Sequence, residues 1–245
     1  HLSILAIDTA TQVSSVAVAD EGKLSAELTM QARLTHSETL MPHIEQVLRM
    51  AAVKKEDLEG IAVSIGPGSF TGLRIGLAAA KAMAYSLNLP VVGVSTLKAL
   101  AYHVPVPGVR IVSLLDAQKG NAYVESYRWE QGKLMVVEPV EVAKVTDIVA
   151  ACATLSEPVL LTGDVVQKKI AGRMELPAGV MTAPANILMP RAACVAMLGL
   201  AELKAGHQDS VMAIEPVYIR RSEAEVLWEK RHPEEAGKTK PTEEM

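Results

Sequence analysis

Gly66-Pro67-Gly68-Ser69-Phe70-Thr71-Gly72-Leu73-Arg74-Ile75-Gly76-Leu77 is the stretch on which the reading of this chain turns. Ahead of it, Gly60 to Ile65 (GIAVSI) has the β-branched character of a buried strand, and a helix is predicted from Gly72 to Asn88. A strand, a glycine loop and a helix in that order describe an α/β layer. The free amides and dipole of the helix N-terminus also make such a loop a natural phosphate cradle. The segment completes neither standard fingerprint. A Walker loop requires Lys-Ser/Thr after its last glycine, where Leu73-Arg74 stand, and the dinucleotide pattern requires Gly or Ala at Thr71. Two readings follow: Gly66, Gly68, Ser69, Phe70 and Gly72 form a phosphate loop, or they form a tight structural turn feeding a close-packed helix. Phe70, the only phenylalanine, either anchors the loop or faces a partner.

Working outward, Ser3–Thr9, Ser14–Asp20 and Lys23–Met30 read as an antiparallel meander turning at Glu21-Gly22. A helix follows over 36–53, opened by a capping-box pattern at Thr35 and Glu38, with Pro42 predicting a kink or a later start. Helix 72–88 is apolar around most of its circumference, so it must be covered on more than one side. A strand at 91–94 and a helix from Ser95 lead to Pro105-Val106-Pro107-Gly108, the expected boundary between a first subdomain (1–105) and a second (106–221). The second opens with strands 109–115 and 122–129, continues with a strand at 158–162 and a helix after Gly163, and has its last helix from Pro190 to about 205, expected to pack back toward the first subdomain. Residues 216–220 read as a short extended piece. Residues 222–245 alternate acid and base with little to bury and are expected to be disordered. Each half opens with a strand ending in aspartate, Asp8 and Asp116, before a hairpin.

Composition narrows the function. The chain has 245 residues, a net charge of −4, 49% hydrophobic residues and 3% aromatics. A mildly acidic balance argues against gripping nucleic acid unaided, which takes a concentrated positive face. Cys152 and Cys194 are too few for a disulfide framework and fit a reducing cytoplasm. The longest apolar run, 192–201, is about half the ~20 residues of a spanning helix, and positions 1–10 show no secretory pattern. No membrane association is expected.

Asp8 and Thr9 at the first strand tip, with Asp116 at its counterpart, are candidates for a nucleotide loop, and Asp8 for a hydrated magnesium ion. The plainer reading is that Asp8 satisfies turn amides. His36 and His43 lie two helical turns apart, about 10 Å, too far to share a metal ion. There is no His pair at spacing three or four and no Gly-x-Ser-x-Gly elbow, so neither a metal centre nor a catalytic nucleophile is expected.

Ile7-Asp8-Thr9, Thr35-His36-Ser37-Glu38-Thr39-Leu40-Met41-Pro42, Gly66 to Leu77, Leu115-Asp116-Ala117 with Tyr123, and Pro216-Val217-Tyr218-Ile219-Arg220 resemble, in order and spacing, the TsaB (YeaZ) family. The resemblance runs over roughly residues 3–221. It implies a two-subdomain actin/hexokinase/Hsp70-like fold of mixed sheets flanked by helices. It implies a role in making N6-threonylcarbamoyladenosine beside the anticodon of tRNAs that read ANN codons. There TsaD performs the transfer, TsaE supplies an ATPase, and the TsaB-type chain docks on TsaD as a non-catalytic subunit, pairing with itself when TsaD is absent. ATP and metal then belong to the partners, tRNA is met only indirectly, and no cofactor or peptidase activity is expected here. The family's contacts use the first two helices, which places Met41, Ile44, Leu48, Ile75, Ala79 and Met83 at the expected interface. The alternative is an ATP-dependent, kinase-like enzyme of the same fold.

Overall fold

The computed structural model describes residues 1–31, 35–219 and 231–234. Strands β1 (Ile4–Asp8), β2 (Val13–Asp20) and β3 (Lys23–Gln31) form the meander, and β4 (Gly60–Gly66) and β5 (Val91–Ser95) extend it in parallel, in the order β3-β2-β1-β4-β5. β1 thus pairs antiparallel on one side (Asp8 opposite Ser15) and parallel on the other (Ile7 opposite Val63). Helix α1 (His36–Ala51) starts where Thr35 is extended and its amide donates to Glu38 Oε2 at 3.3 Å; it ends at Ala52 in the left-handed region. Pro42 lies within this one continuous helix, so it is tolerated without a break. Helix α2 (Phe70–Leu87) begins two residues earlier than its pattern predicts, because Ser69 is the cap, its Oγ accepting the Gly72 amide at 3.3 Å.

After α3 (Thr96–Ala101) the same plan repeats. β6 (Arg110–Asp116), β7 (Asn121–Glu130) and β8 (Lys133–Lys144) are antiparallel, α4 (Val145–Ala151) intervenes, and β9 (Val159–Thr162) and β10 (Val180–Thr182) add in parallel, giving β10-β9-β6-β7-β8. β8, α4 and β10 go beyond the sequence reading. The helix expected after Gly163 is a π-helical turn, Val166–Ile170, and α5 (Ala192–Lys204) starts after Arg191 rather than at Pro190. Residues 216–219 form no strand, although the Val217 amide donates to Ile65 O at 2.8 Å. Of the charged tail, only 231–234 lie among the described residues. This duplicated arrangement is the actin/hexokinase/Hsp70-like architecture.

The two last helices exchange places. α3, which follows the first sheet, seals Leu97, Leu100 and Ala101 against Ile111, Leu115 and Tyr127 of the second, all at or near zero exposure. Burying each leucine contributes roughly 1.5–3 kcal/mol. α5, which follows the second sheet, packs Ala192, Val195, Ala196 and Leu200 on Ile4, Ala6, Ala17 and Ala62 of the first. Its first amides are held by the strands beneath: Ala192 N donates to Ser15 Oγ at 2.8 Å and Ala193 N to Glu27 Oε2 at 2.9 Å. Arg191 completes the clasp through Glu27 Oε1. This reciprocal packing fixes the gap in which the candidate site lies.

Candidate functional site

The β1–β2 tip threads into the glycine loop. Ala10 O accepts the Ser69 amide at 2.7 Å, and Thr9 Oγ1 donates to Gly72 O at 2.6 Å. The glycines permit this approach. A Cβ on Gly68 would lie 2.5 Å from Ala10 O, on Gly72 2.2 Å from Thr9 O, and on Gly76 2.3 Å from Thr9 Oγ1. Of the two sequence readings, these contacts supply the structural turn, in which Gly68, Gly72 and Gly76 let the hairpin approach closely, while Gly68 to Gly72 also line the cleft described below. Thr11 O is bonded at 2.6 Å by His36 Nε2, which joins the same tip to the first turn of α1.

Asp8 and Thr9 are therefore beneath the surface, each 1% exposed. Asp8 Oδ1 accepts the Ala10 amide at 3.0 Å, the turn role, while Oδ2 has no hydrogen-bond partner among the described residues. Burial pushes its carboxyl up to about 6, opposed by the Ala10 amide and by the nearby Ser64 hydroxyl. Ser64 Oγ itself makes no hydrogen bond within ordinary range.

Asp116, the counterpart in the second half, does face the cleft. Its Oδ1 accepts the Gln118 amide at 2.9 Å and its own amide donates to Asp164 Oδ1 at 3.0 Å. Lys168 Nζ sits 3.3 Å from Asp164 Oδ2 and 3.5 Å from Asp116 Oδ2. An ammonium group thus stands between the two carboxylates. Burial raises the Asp164 carboxyl; partial burial works against the Lys168 charge, but Asp164 and Asp116 hold it above its usual value. Sequence reasoning missed Asp164 and Lys168, although their spacing of four was a usable signal.

Between the tips is a cleft of about 600 Å³, lined among others by Thr11, His36, Ser69, Phe70, Asp116 and Lys168. Its hydroxyls, carboxylates and one ammonium suit a small polar molecule. His43 Nδ1 lies 3.5 Å from Ser14 Oγ, but Ser14 is buried in β2 rather than in the cleft. Cys152 and Cys194 are buried thiols, and burial pushes Cys194 up to about 12. Neither has the character of an activated nucleophile. Among the described residues, one group of three possible metal ligands occurs, His1, Asp20 and Glu21, at the opposite end of β2 from the tip.

Of the expected interface residues, Ile44 is corrected: it is 1% exposed and belongs to the core under α1, so it is closed to a partner. Leu48, Ile75, Ala79 and Met83 are half-buried along the margin of that core, and Ile75 also lines the cleft. Met41 is exposed. The outward stripe of α2 is instead Phe70, Arg74, Ala78, Ala82 and Tyr85. Phe70 is 44% exposed, with Arg74 stacked on its ring and Tyr218 beside it.

A family model described as TsaD, tRNA N6-adenosine threonylcarbamoyltransferase, matches residues 30–228. The chain is 31% identical over 230 residues to the tRNA threonylcarbamoyladenosine biosynthesis protein TsaB of Bacillus subtilis, covering 93% of this chain and 98% of that one. It is 29% identical over 232 residues to the Escherichia coli protein of the same name, covering 94% and 98%. Among solved structures, an uncharacterized Pseudomonas aeruginosa protein with similarity to peptidase YeaZ superposes with a TM-score of 0.77 at 26% identity, over 90% of this chain and all of that one.

Proposed function

Because the chain belongs to the TsaB family of tRNA threonylcarbamoyladenosine biosynthesis proteins, we propose that it is a non-catalytic subunit that docks on TsaD through α1 and α2 and holds it in an active arrangement. TsaE is the third component, and ATP and metal are handled by those partners. The tRNA lies on the partner's surface, consistent with a chain of net charge −4. The work takes place in the cytoplasm, and the chain pairs with itself when TsaD is absent.

One observation carries this reading. The Ser69 amide at the head of the glycine loop, a donor that a phosphate cradle would use, is instead taken by Ala10 O of the chain's own hairpin at 2.7 Å. Lys168 supports it from the other side of the cleft, filling the space between Asp116 and Asp164 where a cation would otherwise bridge carboxylates and substrate. What α2 offers instead is an outward stripe suited to a neighbour's helix. A helix pair docked on a helix pair buries on the order of 1,600 Å².

Ala79 is half-buried, so a charge there threatens the fold; Ala82 is exposed and gives the cleaner test. Ala82→Glu is expected to abolish the complex with TsaD while circular dichroism stays native. Retention of the complex would contradict the interface. The alternative, an ATP-dependent kinase-like enzyme, draws on the cleft of about 600 Å³ beside Asp116. It requires micromolar nucleotide binding by the isolated chain, and calorimetry showing none dismisses it.

A further inference from the structure

We propose, resting on the docking reading above, that the corner formed by Phe70, Arg74 and Tyr218 receives an acidic, apolar-flanked segment of the protein partner that docks on α2. Phe70 is 44% and Tyr218 57% exposed, an uncommon display in a chain with one phenylalanine. Their ring centroids lie 5.7 Å apart, and the Arg74 guanidinium carbon lies 4.0 Å from the Phe70 centroid. Exposed aromatic rings joined to an arginine are the composition of interface anchors rather than of ordinary surface.

The charge argument selects the occupant. α2 contains Arg74 and Lys81 and no acidic residue, although the whole chain is net negative. Arg74 has no carboxylate partner among the described residues; its recorded contact is the Phe70 ring. Held there at the surface, the exposed guanidinium keeps its N–H fork for a carboxylate. The N-terminal end of α2 adds a positive partial charge in the same direction. A stacked nucleobase fits less well. Arg74 lies over one face of Phe70 and Tyr218 is tilted at 45° beside it, whereas base stacking requires an open ring face.

The corner is also pre-organised. The segment 207–219 is pinned where Asp209 Oδ2 accepts the Gly93 amide at 2.7 Å, where Ile214 enters the core at 6% exposure, and where Val217 N reaches Ile65 O at 2.8 Å. These three anchors deliver Tyr218 onto Phe70 before any partner arrives, so little ordering is left to oppose binding.

The test is calorimetric titration of the full chain with its cognate TsaD at low and high salt. Arg74→Glu is expected to weaken binding roughly tenfold or more and to flatten the salt dependence, as loss of an interfacial charge should. Tyr218→Ala is expected to weaken it about fivefold, with Tyr218→Phe close to wild type and Met181→Ala, exposed on the second sheet, a neutral control. Binding by both Arg74→Glu and Tyr218→Ala within about twofold of wild type would overturn the corner while leaving the docking reading standing. An unchanged protein complex together with lost retention of tRNA by Arg74→Glu would overturn it in favour of RNA. Failure of the wild-type chain to bind TsaD would overturn both readings.

Discussion

The carbonyl of Ala10 accepts the amide of Ser69 at 2.7 Å, across 59 positions of sequence, and so joins the first hairpin to the cap of α2. Asp8 holds Ala10 from below and Thr11 holds His36, the first residue of α1. Both proposed docking helices therefore take their starting positions from one four-residue tip.

That interlock depends on missing side-chain atoms. Gly76→Ala puts a methyl 2.3 Å from Thr9 Oγ1 and should destabilise the fold by about 1–3 kcal/mol in chemical denaturation. Combining it with Thr9→Ala removes the obstructing oxygen, so the double variant should be more stable than the sum of the single effects. Gly22→Ala, whose nearest atom is Asp20 Oδ1 at 3.8 Å, should change little. Strict additivity of the Thr9 and Gly76 changes would contradict the packing described.

Asp8 should make stability fall with rising pH. Its folded pKa, about 6, lies above the ordinary aspartate value, so the folded form binds the proton more tightly. The stabilisation is full below pH ~4 and is lost as pH rises through ~6, a change of about 3 kcal/mol. Asp8→Asn keeps an acceptor for Ala10 and removes the charge. Its melting temperature should exceed that of wild type at pH 8, and the advantage should shrink between pH 6 and pH 4. A pH-independent difference would contradict the buried, charge-strained carboxylate.

Lys168 makes the opposite kind of contribution, neutralising carboxylates already near one another. Lys168→Met should lower stability at pH 7 by less than about 1 kcal/mol, because the side chain is 39% exposed and screened. The loss should diminish as pH falls and Asp164, whose carboxyl burial raises, takes up its proton, and Lys168→Arg should restore most of it. Thermal scans from pH 7 downward read the result; equal loss throughout would contradict the pairing.

Strand, helix and turn signals made the first sheet legible, because its meander, capping-box pattern and glycine loop are local in sequence. β8 was missed for a physical reason. It is an edge strand whose four valines are interrupted by Glu138, Pro139 and Glu141, and its pairing with β7 contains bulges, so no clean alternation marks it. The placement of Asp8 was unreadable for another reason. Burial on that face of β1 comes from α5, whose residues lie more than 180 positions later. Periodicity identifies a strand tip but not which later element covers it. Ile44 was misplaced similarly: the apolar arc of α1 is wide, and the sequence does not say which edge meets the sheet. The Phe70–Tyr218 contact joins residues 148 positions apart and left no local trace.

The most direct test of the central claim is reconstitution of tRNA threonylcarbamoylation from purified TsaD and TsaE, with and without this chain, scored by mass spectrometry of the nucleosides. The account predicts product only when the chain is present, with Asp116→Ala retaining activity and Ala82→Glu losing it. Undiminished product in its absence, or a requirement for the Asp116 carboxylate, would contradict it.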